Sequence, residues 1–497
     1  MRDIALLLFV FALLPLALFR PYVGLLLWTW FSYMNPHRLT WGFAYNFRFN
    51  LIVAAITIIS ILINRRMGDY KVPWKLPTIL LVVFTLWTYL TTQFAIQINA
   101  AEVQFDRFIK IQFLIFASLI LIKTRRQFLM IILIITISIG FYGVKGGLFT
   151  LRSGGHFRVM GPADSFFVDN NSFALAMLMT IPLIYFLTSQ TKNLYLRIIL
   201  IASFLLSFIA VLGSYSRGGV LGLIILSFTL LVKTRSRFIL LIIFVSSMPV
   251  IYQFMPQHWH NRMNHVLESA MQTLDNQLSE QQKDILQATI GQSYQNNLNF
   301  TSSSTNNKSI NNTLLQFIMQ SDAEIIHDKS VTGRFDAWRF SINVANDRPI
   351  LGGGFKVYDQ GVFDRYLPGV QRRAAHSIYF EVLAEQGYVG FFIWLSMHIS
   401  ALLSGRRIAR LTRRDPELLW ARELAGMLQV SLISYYTAGI FLGMAYFDLP
   451  YHIIALLVLL QAHVEKQLAK RIPLQAPARA SAWELSRLSL ASISVRR

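Results

Sequence analysis

Residues 194 to 233, LYLRIILIASFLLSFIAVLGSYSRGGVLGLIILSFTLLVK, decide the fold class. Two apolar runs within them, 196 to 213 and 218 to 232, each approach the roughly 20 residues that carry a helix across a bilayer. Basic residues stand at both far ends, Lys192 and Arg197 at the start of the first run and Lys233, Arg235 and Arg237 after the second. Lys and Arg collect in short cytoplasmic loops, so the chain is expected to go out and come back here. The turn GSYSRGG then lies on the outer face and carries Arg217 between glycines.

The same punctuation extends in both directions. Further clusters, Arg65, Arg66, Lys71 and Lys75, then Lys123, Arg125 and Arg126, and later Arg406, Arg407, Arg410, Arg413 and Arg414, separate apolar runs at 76–94, 107–122, 127–143, 171–188, 238–255, 377–403, 422–441 and 449–464. Three shorter runs, 4–19, 21–34 and 50–63, are split by Pro15, Pro21 and Pro36; parity from a cytoplasmic start allows two of them as spans. The expected fold is an all-α polytopic membrane protein of about 12 transmembrane helices with one long, mainly helical loop domain outside. Composition agrees: 54% of 497 residues are hydrophobic, about 268, and about 12 spans would absorb some 240. Only 14% are charged, against about 25% in soluble domains.

Transmembrane helices with short loops are expected over 1–255, the loop domain over 256–375, the last transmembrane helices over 376–465, and a basic cytoplasmic tail over 466–497. The loop domain includes a polar insert at 270–330, with an Asn- and Ser-rich core at 294–313. It holds eleven Lys/Arg and eleven Asp/Glu, so the net charge of +21 resides elsewhere, in the cytoplasmic clusters and the tail. That placement points to anionic membrane lipids as partners and away from nucleic acid. With no cysteine, thiol chemistry and disulfides are excluded.

Four polar constellations are expected on the outer side, each beside a span end. They are YGVKGG with Lys145, followed by RSGGHFRVMGPADSFFVDNN with Arg158 and Asp169; GSYSRGG with Arg217; GRFDAWRF with Arg334 and Arg339, running into DRPILGGGF; and AAHSIYFEVLAEQGYVGF with His376. Cations in short outer loops run against the usual charge bias. Singly, each could snorkel to headgroups or pair with a carboxylate. Together they suit a phosphate or pyrophosphate, whose oxygens guanidinium groups grip in pairs without losing charge.

His376, at the start of a returning span, reads either as a capping residue or as a base. Beside cations a neutral imidazole is favoured, and it could take a proton from a sugar hydroxyl. At helical spacing Glu381 falls about 140° around from His376 and is not an obvious orienter. Glu381 and Glu385, at i and i+4, read most simply as partners for an arginine of another span. The segment from Gly333 to Gly354 reads as a short helix stopped by Pro349 and the glycines, with Arg334, Trp338, Ser341 and Ala345 on one face. The triple glycine lacks the Lys-Ser/Thr of a phosphate loop. The one DxD-like spacing outside, Asp322 with Glu324, lies in the polar insert, so no metal site is expected.

GSYSRGG, then GRFDAWRF with RPILGGGF, then HSIYFEVLAEQGYVG, in this order around a long outer loop, resemble the O-antigen ligase and polymerase superfamily. The start, PLALFRPYVGLLLWTWFSYMNPHRLTWGFAY, with YGVKGG and FMPQHWHNRM, is similar to a ligase-like branch known as O-glycosylation ligases. One departure is Ser377, where many relatives have Asn. The resemblance implies a metal-independent, inverting glycosyltransferase of the bacterial inner membrane, working at the periplasmic face without a cofactor. It would transfer a glycan from undecaprenyl pyrophosphate to a sugar hydroxyl of lipid A-core. By motif, His376 resembles the base, and Arg217 and Arg334 the pyrophosphate-binding arginines. Arg158, Arg339 and Lys145 join them as pyrophosphate ligands from the layout alone. A polymerase, a protein O-oligosaccharyltransferase or a flippase for lipid-linked glycans remain alternatives.

Overall fold

The computed structural model describes residues 1–66, 70–163, 165–234 and 329–471. The expected span at 238–255, nearly all of the 270–330 insert, the FMPQHWHNRM segment and the tail beyond Arg471 lie outside the described residues.

Fourteen α-helices and no strand are found among the described residues. In chain order they are α1 (Arg2–Phe19), α2 (Pro21–Met34), α3 (Phe49–Ile63), α4 (Leu76–Gln93), α5 (Ile98–Leu121), α6 (Arg125–Arg152), α7 (Asn170–Gln190), α8 (Leu194–Gly213), α9 (Arg217–Lys233), α10 (Lys329–Asp347), α11 (Gln360–Tyr366), α12 (Ile378–Leu411), α13 (Leu419–Ala438) and α14 (Asp448–Arg471). Among the described residues, α1, α4, α6, α7, α8 and α12 are long and apolar enough to cross a membrane, and α3 is apolar but shorter. The outer helices turn Leu8, Phe11, Leu86, Phe228 and Phe392 outward, exposed. An apolar belt of this kind belongs in lipid. The chain is a helical, multi-pass membrane protein.

Local signals set the helix starts. Thr124 and Gln127 form a reciprocal capping box on α6. Asp169 caps α7 through the amides of Asn171 and Ser172, and the Ser216 hydroxyl caps α9 through the Gly219 amide. Inside the bundle α7 is almost wholly enclosed, packed by α6, α8, α9 and α13. On the other side α14 is buried from Asp448 to Gln461 and packs on α5 and α12. Its His452 bridges the hydroxyls of Tyr33 (3.1 Å) and Ser118 (3.0 Å), tying α2, α5 and α14 by polar contacts that water cannot replace in a membrane.

The sequence places YGVKGG in an outer loop; in the structure it lies inside α6, which continues to Arg152. The physical reason is helix packing. A Cβ on Gly147 would stand 2.2 Å from the Leu206 carbonyl oxygen, so the glycine is what lets α6 press on α8. Lys145 falls on roughly the opposite face of α6 and is exposed.

Candidate active site

Three polar constellations that are far apart in sequence meet around the turn from Gly439 to Phe447, between α13 and α14. The first comes from α8 and α9. Tyr215 sits between them with a left-handed backbone, φ 55, and its hydroxyl donates to the Gly155 carbonyl. Nearby, Val159 donates its amide to Gly213 (2.8 Å) and Asn170 its side-chain amide to Ser214 (2.9 Å). These ties fold the loop before α7 onto the start of α9, where Arg217 is the first helical residue. The charge of Arg158 falls on Tyr215 in the same place. The amides of a helix's first turn favour an anion there.

The second constellation is α10. Its Trp338 stacks on Phe380 (centroids 4.9 Å apart) and on Phe441 (6.3 Å). The indole N–H donates to the Ala375 carbonyl at 2.9 Å. One turn earlier Arg334 lies over the Phe441 ring, 5.8 Å from its centre. Gly218 of α9 packs against the same Phe441 and its neighbour Leu442. Phe441 and Leu442 thus stand between the arginine of α10 and the start of α9.

The third constellation begins with His376. It precedes α12 with a left-handed backbone, φ 44, and two residues later Ile378 donates its amide to Gly439 (2.9 Å). His376 is therefore outside the helix, and the helical-face argument that separated it from Glu381 does not apply. Both border Gly443: the His376 Cα and Glu381 Oε2 lie 3.6 and 3.4 Å from where a Cβ on it would be. Partial burial, and next the Arg334 cation, hold the imidazole pKa below its ordinary value, with Asp169 pulling weakly the other way. The neutral ring is thereby favoured, and the residue remains exposed.

That cavity measures about 530 Å³. Asp169, Lys356, Tyr358, His376, Glu381 and Glu385 are among the side chains on its wall. Lys356 also has a left-handed backbone, φ 61. Its amide donates to Glu385 Oε1 at 2.8 Å. Among the described residues four non-glycines have positive φ, and Tyr215, Lys356 and His376 all lie at this site. Such conformations cost on the order of 1–3 kcal/mol each and gather where function fixes the backbone.

The glycines of RPILGGGF pack on the part of α12 that carries the wall residue Glu385. Gly353 and Gly354 donate to the Ala384 and Glu385 carbonyls (2.8 and 2.9 Å) where α12 kinks at Gly387, φ 67. A Cβ on Gly352, φ 65, would stand 2.4 Å from the Gly387 nitrogen. This stretch is a packing hinge rather than a phosphate cradle.

Of the residues singled out in the sequence, His376 lines the cavity; Arg334 and Arg217 are off its wall, Arg334 over the Phe441 ring and Arg217 next to Gly218, which packs on Phe441 and the wall residue Leu442. Arg158 joins the Arg217 side through Tyr215. Arg339 and Lys145 are exposed and absent from the cavity wall. Glu385 takes the Lys356 amide and Glu381 the Ala445 amide (3.1 Å), in place of the arginine partner expected for them. Lys356 and Tyr358 were missed. Only the polar FKVYD run after the triple glycine could have hinted at them.

Comparison with known proteins divides the chain in two. Residues 1–192 match a family of unknown function (DUF5935). No curated protein matches the chain. Residues 202–395, which carry Arg217, Arg334 and His376, match the O-antigen ligase family. This domain match supports the O-antigen ligase superfamily for the chain, and with it glycosyl transfer of the ligase or polymerase type.

Proposed function

We propose that the protein transfers a glycan from undecaprenyl pyrophosphate to a sugar hydroxyl of lipid A-core at the periplasmic face of the bacterial inner membrane. In this reading about 12 helices span the membrane, residues 256–375 form a periplasmic loop domain, and the tail after 466 is cytoplasmic. The observation that carries it is His376, neutral and held in a strained backbone on a cavity wall within the field of Arg334.

The chemistry follows from that pairing. The acceptor hydroxyl gives its proton to the His376 imidazole as its oxygen bonds to the anomeric carbon from the face opposite the pyrophosphate. The bond from that carbon to the pyrophosphate oxygen breaks, and the anomeric centre inverts. The electron pair stays on the pyrophosphate, where Arg217 and Arg334, with Arg158 behind, meet a charge larger than in the bound donor. Interactions that strengthen as charge develops lower the barrier. General-base help adds about 10² to 10⁴ in rate. Arg339 and Lys145 would act at most on the approach of the anionic donor. Glu381 and Asp169 supply acceptors for sugar hydroxyls opposite the cations.

The test is direct. Purified protein is given lipid-linked glycan with lipid A-core, with a peptide, or with more donor alone. Modified lipid A-core supports the ligase, modified peptide an O-oligosaccharyltransferase, and a lengthened donor a polymerase. No transfer to any of them, together with donor movement between leaflets, would leave the flippase.

A further inference from the structure

A second cavity, lined mostly but not only by the amino-terminal half, is left unused by the mechanism above. It measures about 520 Å³ and lies between α2, α5 and the start of α14. Three cations line it: Arg38 after α2, and Arg107 and Lys110 on α5. Arg38 is steadied over the Tyr45 ring, 4.6 Å from its centre, and Lys110 is paired at the surface with Asp106. Asn35 and Ser165 add neutral hydrogen-bonding groups. Its wall also carries Asp448, only 1% exposed, whose Oδ1 has no hydrogen-bond partner among the described residues. A buried carboxyl oxygen left in this state costs on the order of 1–3 kcal/mol, and a hydroxyl group would recover it.

Cations with a carboxylate among them describe a particular ligand. A bare phosphate brings no hydroxyl to the unpartnered Asp448 Oδ1. A phosphorylated sugar offers phosphate oxygens to the cations and hydroxyls to Asp448. The wall also includes Trp28 and Phe166, apolar surfaces of the sort that sugar rings and acyl chains cover.

Position connects this cavity to the first. Gln97 and Ala100 at the start of α5 line the active-site cavity, and Arg107 and Lys110, two to three turns on, line the second. Leu442 and Gly443 face the former and Asp448 the latter, six and five residues along the same turn. Phe447 of that turn contacts Phe166 and Phe167, which precede Asp169. We infer that the second cavity binds the phosphorylated sugar headgroup of the acceptor glycolipid, so that its distal sugars reach His376. The inference rests on the glycosyl-transfer reading, in which the donor pyrophosphate already has its own arginines.

Binding is measured by native mass spectrometry and by a fluorescent-lipid displacement assay, on the full chain in nanodiscs, with bisphosphorylated lipid A, its enzymatically dephosphorylated form, and inorganic phosphate as probes. The phosphorylated lipid should bind best, inorganic phosphate should fail to displace it at millimolar levels, and Arg107→Ala with Lys110→Ala should weaken it about tenfold or more. Asp448→Asn keeps the shape and should weaken the phosphorylated sugar lipid while sparing phosphatidic acid, which has no sugar. Equal binding of the dephosphorylated lipid, displacement by phosphate alone, or unchanged affinity in both variants would overturn the inference. Because the readout is binding, it stays separate from the transfer reading: transfer with unchanged variant affinity sinks only this site, and specific binding without transfer sinks only the reaction.

Discussion

Replacing Trp338 by Phe removes one hydrogen bond and leaves its rings stacked. The indole N–H reaches the Ala375 carbonyl at 2.9 Å, and Ala375 is 2% exposed, so without the indole that carbonyl loses a partner that water cannot readily replace. Such a loss costs about 1–3 kcal/mol. The next residue, His376, has φ 44, a left-handed backbone that costs an L-residue roughly 1–2 kcal/mol. The two quantities are of the same order, so Trp338→Phe frees His376 to relax from its catalytic pose. If that whole cost falls on the transition state, turnover drops about 5- to 150-fold, at roughly 1.4 kcal/mol per tenfold. The assay is kcat and donor KM for transfer from lipid-linked glycan, with thermal unfolding as a control. kcat should fall with donor KM nearly unchanged. A folded Trp338→Phe protein turning over within twofold of wild type would refute the idea that this bond poses His376.

Other outcomes follow from the same geometry. Protonation of His376 removes the base, so kcat/KM should fall with pH through a midpoint below the ordinary imidazole value; Arg334→Gln removes a cation that depresses it, and the midpoint of the residual activity should move up. An unmoved acid limb would separate Arg334 from His376. Transfer should persist undiminished in EDTA, because guanidinium groups meet the leaving charge; loss restored by magnesium would contradict this. Gly147→Val sets a side chain against the Leu206 carbonyl, and should lower stability by about 1–3 kcal/mol or more in a thermal assay, with no change if α6 and α8 are not so closely packed.

Much of the architecture was legible because lipid leaves few options. The apolar runs 196–213 and 218–232 became α8 and α9, with Arg217 as the first residue of the second. The helix around Trp338 was visible from its periodicity and its Pro349 stop. Failures have distinct causes. YGVKGG is placed in an outer loop because the apolar run ends at 143 just before Lys145, whereas its glycines serve the contact between α6 and α8. His376 was read by helical spacing, which a positive φ invalidates, and this hid its shared cavity with Glu381. Arg38, Arg107 and Asp448 share no spacing at all; only the packing of α2, α5 and α14 brings them to one wall.

The central claim is that one imidazole performs proton transfer for a donor held by guanidinium groups. It is tested most directly by measuring donor affinity and single-turnover glycan transfer together for His376→Ala. The account predicts donor affinity near that of wild type with transfer slowed by about 10² or more. Transfer at the wild-type rate would contradict it.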